Sequence, residues 1–268
     1  MMVFLPFITA LIYSWAAVNY WHQAKRRDTM TPHSPWQSRL VAAGLVLHGI
    51  SLYCTLFSNG LNLSFTNALS TIFWLTVLIY WITDLRNQWH SLQALVLPPA
   101  AFFVLLQAWQ PETHFLAYAA QPLFIAHMVI AMLAYGLLTF AALHALLMLA
   151  AERRLHHQSS WLGLADFPPL MTMDTLLFRV ITLGFTLLTL TLASGMMFSE
   201  SLFDQPMQFT HKNIFTMLSW LIFAGLLFGR YRYGWRGRMA VRWTLSGFVL
   251  LVLAYTGSKF VLEILLHR

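Results

Sequence analysis

Apolar runs of roughly 20 residues, the length of helix that crosses a hydrocarbon core of about 30 Å, recur along the whole chain. Cutting at charges, prolines and polar clusters gives eight of them, at 3–21, 40–57, 67–83, 92–108, 123–150, 175–198, 213–229 and 241–266. In lipid no water can satisfy backbone N–H and C=O groups, so only helices or closed barrels can span. Continuous apolar runs of this length fit helices. The expectation is therefore an all-α fold: a polytopic membrane helix bundle of about eight transmembrane helices, forming a single integral membrane domain over 1–268. Composition agrees, because 59% hydrophobic and 9% charged residues leave too little polar surface to face water. The fourth run is the least regular, with Pro98 and Pro99 inside it, although membrane helices tolerate proline better than soluble ones.

A formal net charge of +7 would suggest a nucleic-acid partner in a soluble chain. Here the basic residues stand in short segments between the apolar runs. Lys25, Arg26, Arg27, Arg39, Arg86, Arg153, Arg154, Arg230, Arg232, Arg236, Arg238 and Arg242 all fall in the odd-numbered loops, whereas the even loops and the ends hold little beyond Lys212 and Arg268. The rule that short basic loops stay cytoplasmic accounts for this bias, so no nucleic-acid partner is expected. The same rule places the odd loops in the cytoplasm of a bacterial cell and both termini in the periplasm, across the inner membrane. No Lys or Arg precedes the first apolar run, so it reads as an uncleaved span rather than a signal peptide. The fifth run continues into Glu152, Arg153 and Arg154, long enough to tilt or to project from the bilayer.

Paired carboxylates, a nucleophile elbow and a glycine-rich phosphate loop are all missing from the sequence, and no enzymatic activity is expected. One cysteine, Cys54, allows neither an internal disulfide nor a Cys-x-x-Cys-His haem attachment site. Thirteen methionines form no ladder on one helix face, which argues against copper transport. Most of the tryptophans, including Trp21, Trp109 and Trp220, fit interfacial belts. Asp174 and Arg179 read as a charged pair at the start of the sixth run, and Lys259 with Glu263 as an i, i+4 pair on the eighth.

Histidine is the informative residue type. Of eleven, His22, His33, His90, His156, His157 and His267 stand in or beside polar segments, where an imidazole is at home. His48 and His144 lie inside apolar runs, where a polar side chain usually faces the bundle interior. His127 and His211 each lie within a turn or two of the outer end of their helices, at matching depth. Two neutral imidazoles on facing helices can clamp a haem iron from both sides. Two unrelated interfacial histidines would satisfy the same spacing. His144, 17 residues beyond His127, stands about 25 Å deeper and cannot share its iron.

The stretch His127-Met128-Val129-Ile130-Ala131-Met132-Leu133-Ala134-Tyr135 resembles the His-x7-Tyr segment of the CcsA-type cytochrome c assembly membrane proteins. Met173-Asp174-Thr175-Leu176-Leu177-Phe178-Arg179, Ile181-Thr182-Leu183-Gly184-Phe185, Ser194-Gly195 and Ser219-Trp220-Leu221-Ile222-Phe223-Ala224 follow in that family's order. The resemblance runs strongly from His127 onward and more faintly over 61–74, so the family-like core is expected at approximately 61–266. Within the family the chain is most similar to the YpjD-like and HemX-like branch. The resemblance implies that His127 is an external haem ligand, with haem b as cofactor. It also implies that the segment before the seventh helix contacts haem. In the assembly proteins that segment is rich in tryptophan around a Trp-Asp-Pro core, whereas 199–212 here contains none and keeps only Asp204 and Pro206. Phe228 stands where the family keeps a second histidine.

The expected function is a haem-binding inner-membrane protein that assists cytochrome c maturation or haem trafficking. Its axial ligands are His127 and His211, and His48 is a further candidate. Its partners are the lipid bilayer, haem and another membrane protein. The alternative is a non-enzymatic regulatory or accessory subunit without haem, as the HemX-like resemblance suggests. A secondary transporter would call for inverted repeats, and none are seen.

Overall fold

A computed structural model describes residues 4–25, 35–57, 62, 64–87, 90–109, 121–157, 169–203 and 211–254. The chain forms eight helices among these: α1 Leu5–Lys25, α2 Pro35–Leu56, α3 Phe65–Asn87, α4 His90–Trp109, α5 Pro122–His157, α6 Leu170–Phe203, α7 His211–Tyr233 and α8 Arg238–Val252. Each apolar run of the sequence overlaps one of them, the eighth being described only as far as residue 254. Five are long and apolar enough to cross a membrane, and Gln93–Trp109 is a shorter apolar helix. The protein is a polytopic membrane helix bundle. Pro98 and Pro99 lie within α4 without ending it. Ser199 to Phe203 continue α6, so the segment before α7 is shorter than the sequence pattern suggests. Asp204 and Pro206 lie outside the described residues, as do Lys259 and Glu263.

The chain folds as two compact units, one comprising 1–121 with 150–169 and the other 122–149 with 170–268. In the first unit α1 packs on α2 and α4, and α3 packs on α2 and α4. Its chemistry is inverted relative to a soluble domain. On α1 the exposed residues include Phe7, Ile8, Leu11, Trp15 and Val18, whereas Thr9, Tyr13, Ala16 and Tyr20 are among the buried ones. Exposed apolar side chains suit lipid, and small or hydrogen-bonding ones suit helix contacts. Gly44 permits the α1–α2 approach, since a Cβ there would come within 2.8 Å of the Tyr13 ring.

In the second unit α6 packs on α7 and α7 on α8, and the α5–α6 pairing is antiparallel in a regular register. Gly184 meets Leu138, and Gly195 meets His127. Eleven residues, about three helical turns, separate the two partners on each helix. Hydroxyls of Thr182, Thr186, Thr189 and Thr191 each donate to the carbonyl four residues earlier. That bond satisfies a polar side chain inside an apolar helix without an outside partner.

At one end of this unit, α7 and α8 are joined by a tight turn. Gly234 and Gly237 take φ of 68° and 56°, a left-handed conformation that residues with a Cβ rarely adopt. The Gly234 N–H donates to the Arg230 carbonyl and the Trp235 N–H to that of Gly229, which satisfies the end of α7. Asp174 does not pair with Arg179 as the sequence spacing suggests. Its Oδ2 lies 2.9 Å from Arg230 Nη1, and its Oδ1 accepts the Gly237 N–H at 3.3 Å. Arg179, five residues on, is exposed and points to another face of α6, whereas Arg230 lies over the Phe178 ring and can reach the buried carboxylate.

Candidate functional site

His127 stands in the second turn of α5, half-buried. Its Nδ1 lies 2.7 Å from Ser194 Oγ on α6. Gly195 packs beside the ring: a Cβ at that position would stand in ordinary contact with His127 Cε1, at 3.6 Å. From α7 the charge of Lys212 reaches the imidazole. Deeper along α5, the Tyr135 hydroxyl bonds the Thr216 side chain. Thr216 Oγ1 already gives its single proton to the Lys212 carbonyl, at 2.8 Å, so Tyr135 is the donor. The His-x7-Tyr segment thus contacts both α6 and α7.

His211 is the first residue of α7 and is exposed. The buried stripe of α7 is Thr216, Ser219, Phe223, Leu226 and Gly229. Lys212, one turn before Thr216, extends that stripe, whereas His211, five residues before it, is rotated from it by about 140°. Both residues of the pair are exposed, and the Lys212 charge is within electrostatic range of His127. Sequence spacing singled out the histidine.

His48 lies in the first unit and is fully buried. Both its ring nitrogens are engaged, Nε2 with Ser70 Oγ at 2.9 Å and Nδ1 with Tyr13 OH at 3.4 Å. The ring also makes an edge contact with Tyr13. His48 therefore ties α1, α2 and α3 together. Other buried polar groups in that unit include Ser51, Asn67 and Gln107, with Gln107 Nε2 donating to Thr55 Oγ1 at 2.7 Å.

His144 is also fully buried. Its Nε2 donates to the Met173 carbonyl at 3.0 Å and its ring stacks on Phe140, so it joins α5 to the first turn of α6. Trp220 donates to Thr189 Oγ1 at 2.8 Å and stacks on Phe185, which assigns it to α6–α7 packing. Trp109 is 80% exposed at the end of α4, as an interfacial residue would be. Phe228 is exposed and makes an edge contact with Tyr233. His22 is exposed, and His33 and His267 lie outside the described residues. No cluster of three or more His, Cys, Asp or Glu capable of holding a bare metal ion occurs among the described residues.

A half-buried imidazole with a lysine within electrostatic range suits a haem. The iron takes an imidazole nitrogen, and the cation suits a propionate. Sequence reasoning missed Ser194, Gly195 and Thr216 as parts of this arrangement. Ser194 is 67 residues from His127, and only the antiparallel register of α5 and α6 could have revealed it.

Residues 36–266 match the family model described as Cytochrome C assembly protein. The chain is 30% identical over 224 residues to "Inner membrane protein YpjD" of Escherichia coli strain K12, covering 82% of this chain and 84% of that protein. It is also 30% identical over 209 residues to an "Uncharacterized 28.8 kDa protein in nifR3-like 5'region" of Azospirillum brasilense, covering 74% and 76%. To the "Cytochrome c biogenesis protein CcsA" of Crocosphaera subtropica it is 33% identical over 96 residues, 36% of this chain and 27% of that one. No solved structure matches. A family match over most of the chain and relatives of similar length lead to one conclusion: this chain belongs to the cytochrome c assembly protein family.

Proposed function

We propose that this protein is a non-enzymatic, haem-binding protein of the bacterial inner membrane that assists cytochrome c maturation or haem trafficking. His127 would hold the haem iron, and His211, exposed at the start of α7, is the second candidate, which the spectrum of His211→Ala decides. The observation that carries this reading is the environment of His127: a half-buried imidazole held at Nδ1 by Ser194, within electrostatic range of Lys212, in a chain of the assembly family. Bound haem would supply the redox-active iron. The protein's own residues hold the imidazole, offer a cation to a carboxylate and line the site with apolar helix.

The Lys and Arg distribution orients the protein with both termini in the periplasm, which puts His127 and His211 on the outer side, where cytochromes c mature. One observation favours the second reading, an accessory or regulatory subunit without haem: residues 199–212 contain no tryptophan, unlike the haem-presenting segment of the assembly proteins.

An absorbance spectrum of the purified protein decides between the two. A Soret band with low-spin α and β bands is expected, and His127→Ala should abolish them or shift them to high-spin. His211→Ala should do the same if it is the sixth ligand, and should leave the spectrum unchanged if another group fills that position. A featureless spectrum, before and after haemin is added, would establish the accessory reading instead.

A further inference from the structure

Ser194 makes two short contacts that together need two protons, of which its hydroxyl has one. Its Oγ lies 2.7 Å from the Leu190 carbonyl, with Thr191 O at 3.2 Å, and 2.7 Å from His127 Nδ1. A carbonyl oxygen can only accept, so the hydroxyl proton belongs to the Leu190 contact. The short contact to His127 is then a hydrogen bond only if Nδ1 carries a proton and donates it. The opposite arrangement would leave the Ser194 and Leu190 oxygens in close contact with no proton between them. That is unfavourable anywhere, and more so where lipid replaces water.

The serine is held in this role by its own helix. Thr182, Thr186, Thr189 and Thr191 on α6 direct their hydroxyls to the carbonyl four residues back, and Ser194 continues the series. Its oxygen faces α5 as a fixed acceptor. A neutral imidazole that donates from Nδ1 carries its lone pair on Nε2, the nitrogen across the ring from Ser194. Cε1, which joins the two nitrogens, is the ring atom nearest Gly195, where a Cβ would stand 3.6 Å away.

Resting on the haem-binding reading above, we propose that Ser194 is a positioning residue that fixes His127 as the Nδ1–H tautomer and so presents Nε2 to the iron of a haem. It touches neither iron nor porphyrin. It acts on the ligand, as hydrogen-bond partners of metal-bound histidines do elsewhere.

The test uses the full chain in lipid nanodiscs, with haemin as the probe. Ser194→Ala should bind haemin about 10–100-fold more weakly, the usual effect of removing such a partner. Ser194→Thr, which keeps both hydroxyl contacts, should restore wild-type affinity. Ser194→Asp should bind haemin and lower its midpoint potential, because a carboxylate draws the Nδ1 proton more strongly and makes the ligand more electron-rich.

Independently of haem, 15N NMR of histidine-labelled apoprotein should find His127, identified by its loss in His127→Gln, protonated at Nδ1, with the Nε2–H form appearing in Ser194→Ala. An apoprotein tautomer that is Nε2–H, or that Ser194→Ala leaves unchanged, overturns the proposal. So does a Ser194→Ala variant that binds haemin normally while His127→Ala does not, and in that case the haem reading survives. If His127→Ala binds haemin as tightly as the wild type, the haem reading fails and the proposal falls with it.

Discussion

His127 and His48 are both imidazoles within apolar helices, and their surroundings give them different work. His127 is half-buried with its Nδ1 engaged by Ser194, whereas His48 is fully buried between Ser70 and Tyr13. A histidine whose two nitrogens both serve packing is a cross-link. Replacing His48 by Gln should therefore leave the haemin spectrum intact while costing about 1–2 kcal/mol of stability, since Gln can renew only part of the buried hydrogen bonding. Thermal unfolding in detergent reads the second effect. Collapse of haem occupancy in that variant would move the principal site into the first unit.

Hydropathy identifies His48 as an unusual polar residue, but it holds no information about which neighbours meet the two ring nitrogens. Tyr13 and Ser70 are 35 and 22 residues away in sequence.

Among the elements, the α7–α8 hairpin is where local chemistry is most tightly specified. Arg230 Nη1 bridges Asp174 and the Trp235 carbonyl, at 2.9 and 3.0 Å, while its guanidinium covers Phe178. The Asp174 side chain is only 8% exposed and that of Arg230 26%, so either charge left alone would be poorly hydrated. Asp174→Asn should destabilise the protein by about 1–3 kcal/mol. Arg230→Lys should not be neutral, because an ammonium cannot reproduce the planar fork or the stacking.

Gly229 is the second fixed point. A Cβ there would run into the Trp235 indole, which is itself packed on Tyr233 and Trp243. Gly229→Ala should cost about 1–3 kcal/mol through overpacking, measured as a lower unfolding temperature. The existence of this hairpin was readable from the break between two apolar runs. The partner of Asp174 was not, because Arg179 is near in sequence but on another face, and Arg230 stands on a different helix, at the far end of α7.

For the whole molecule, the eight helices follow from hydropathy and from the need to close every backbone hydrogen bond within a span. The orientation proposed from the basic residues predicts that reporter fusions after Arg39, Arg154 and Arg238 read cytoplasmic and that one at the C-terminus reads periplasmic. A cytoplasmic C-terminus would mean an odd number of spans and would move His127 and His211 to the inner side or apart.

By itself the sequence determined the all-α membrane architecture, the eight helices and the family, because lipid allows so few backbone solutions and because the His127 to Ala224 motifs keep their order. Tertiary structure alone decided what surrounds each histidine. Helix faces are set by angle as well as by depth, and a rotation of about 140° between Thr216 and His211 is what brings Lys212, rather than His211, onto the stripe that extends toward His127. The antiparallel register of α5 and α6 likewise brings Ser194 and Gly195 to the imidazole from a separate span of the chain, a separation over which apolar periodicity carries no signal.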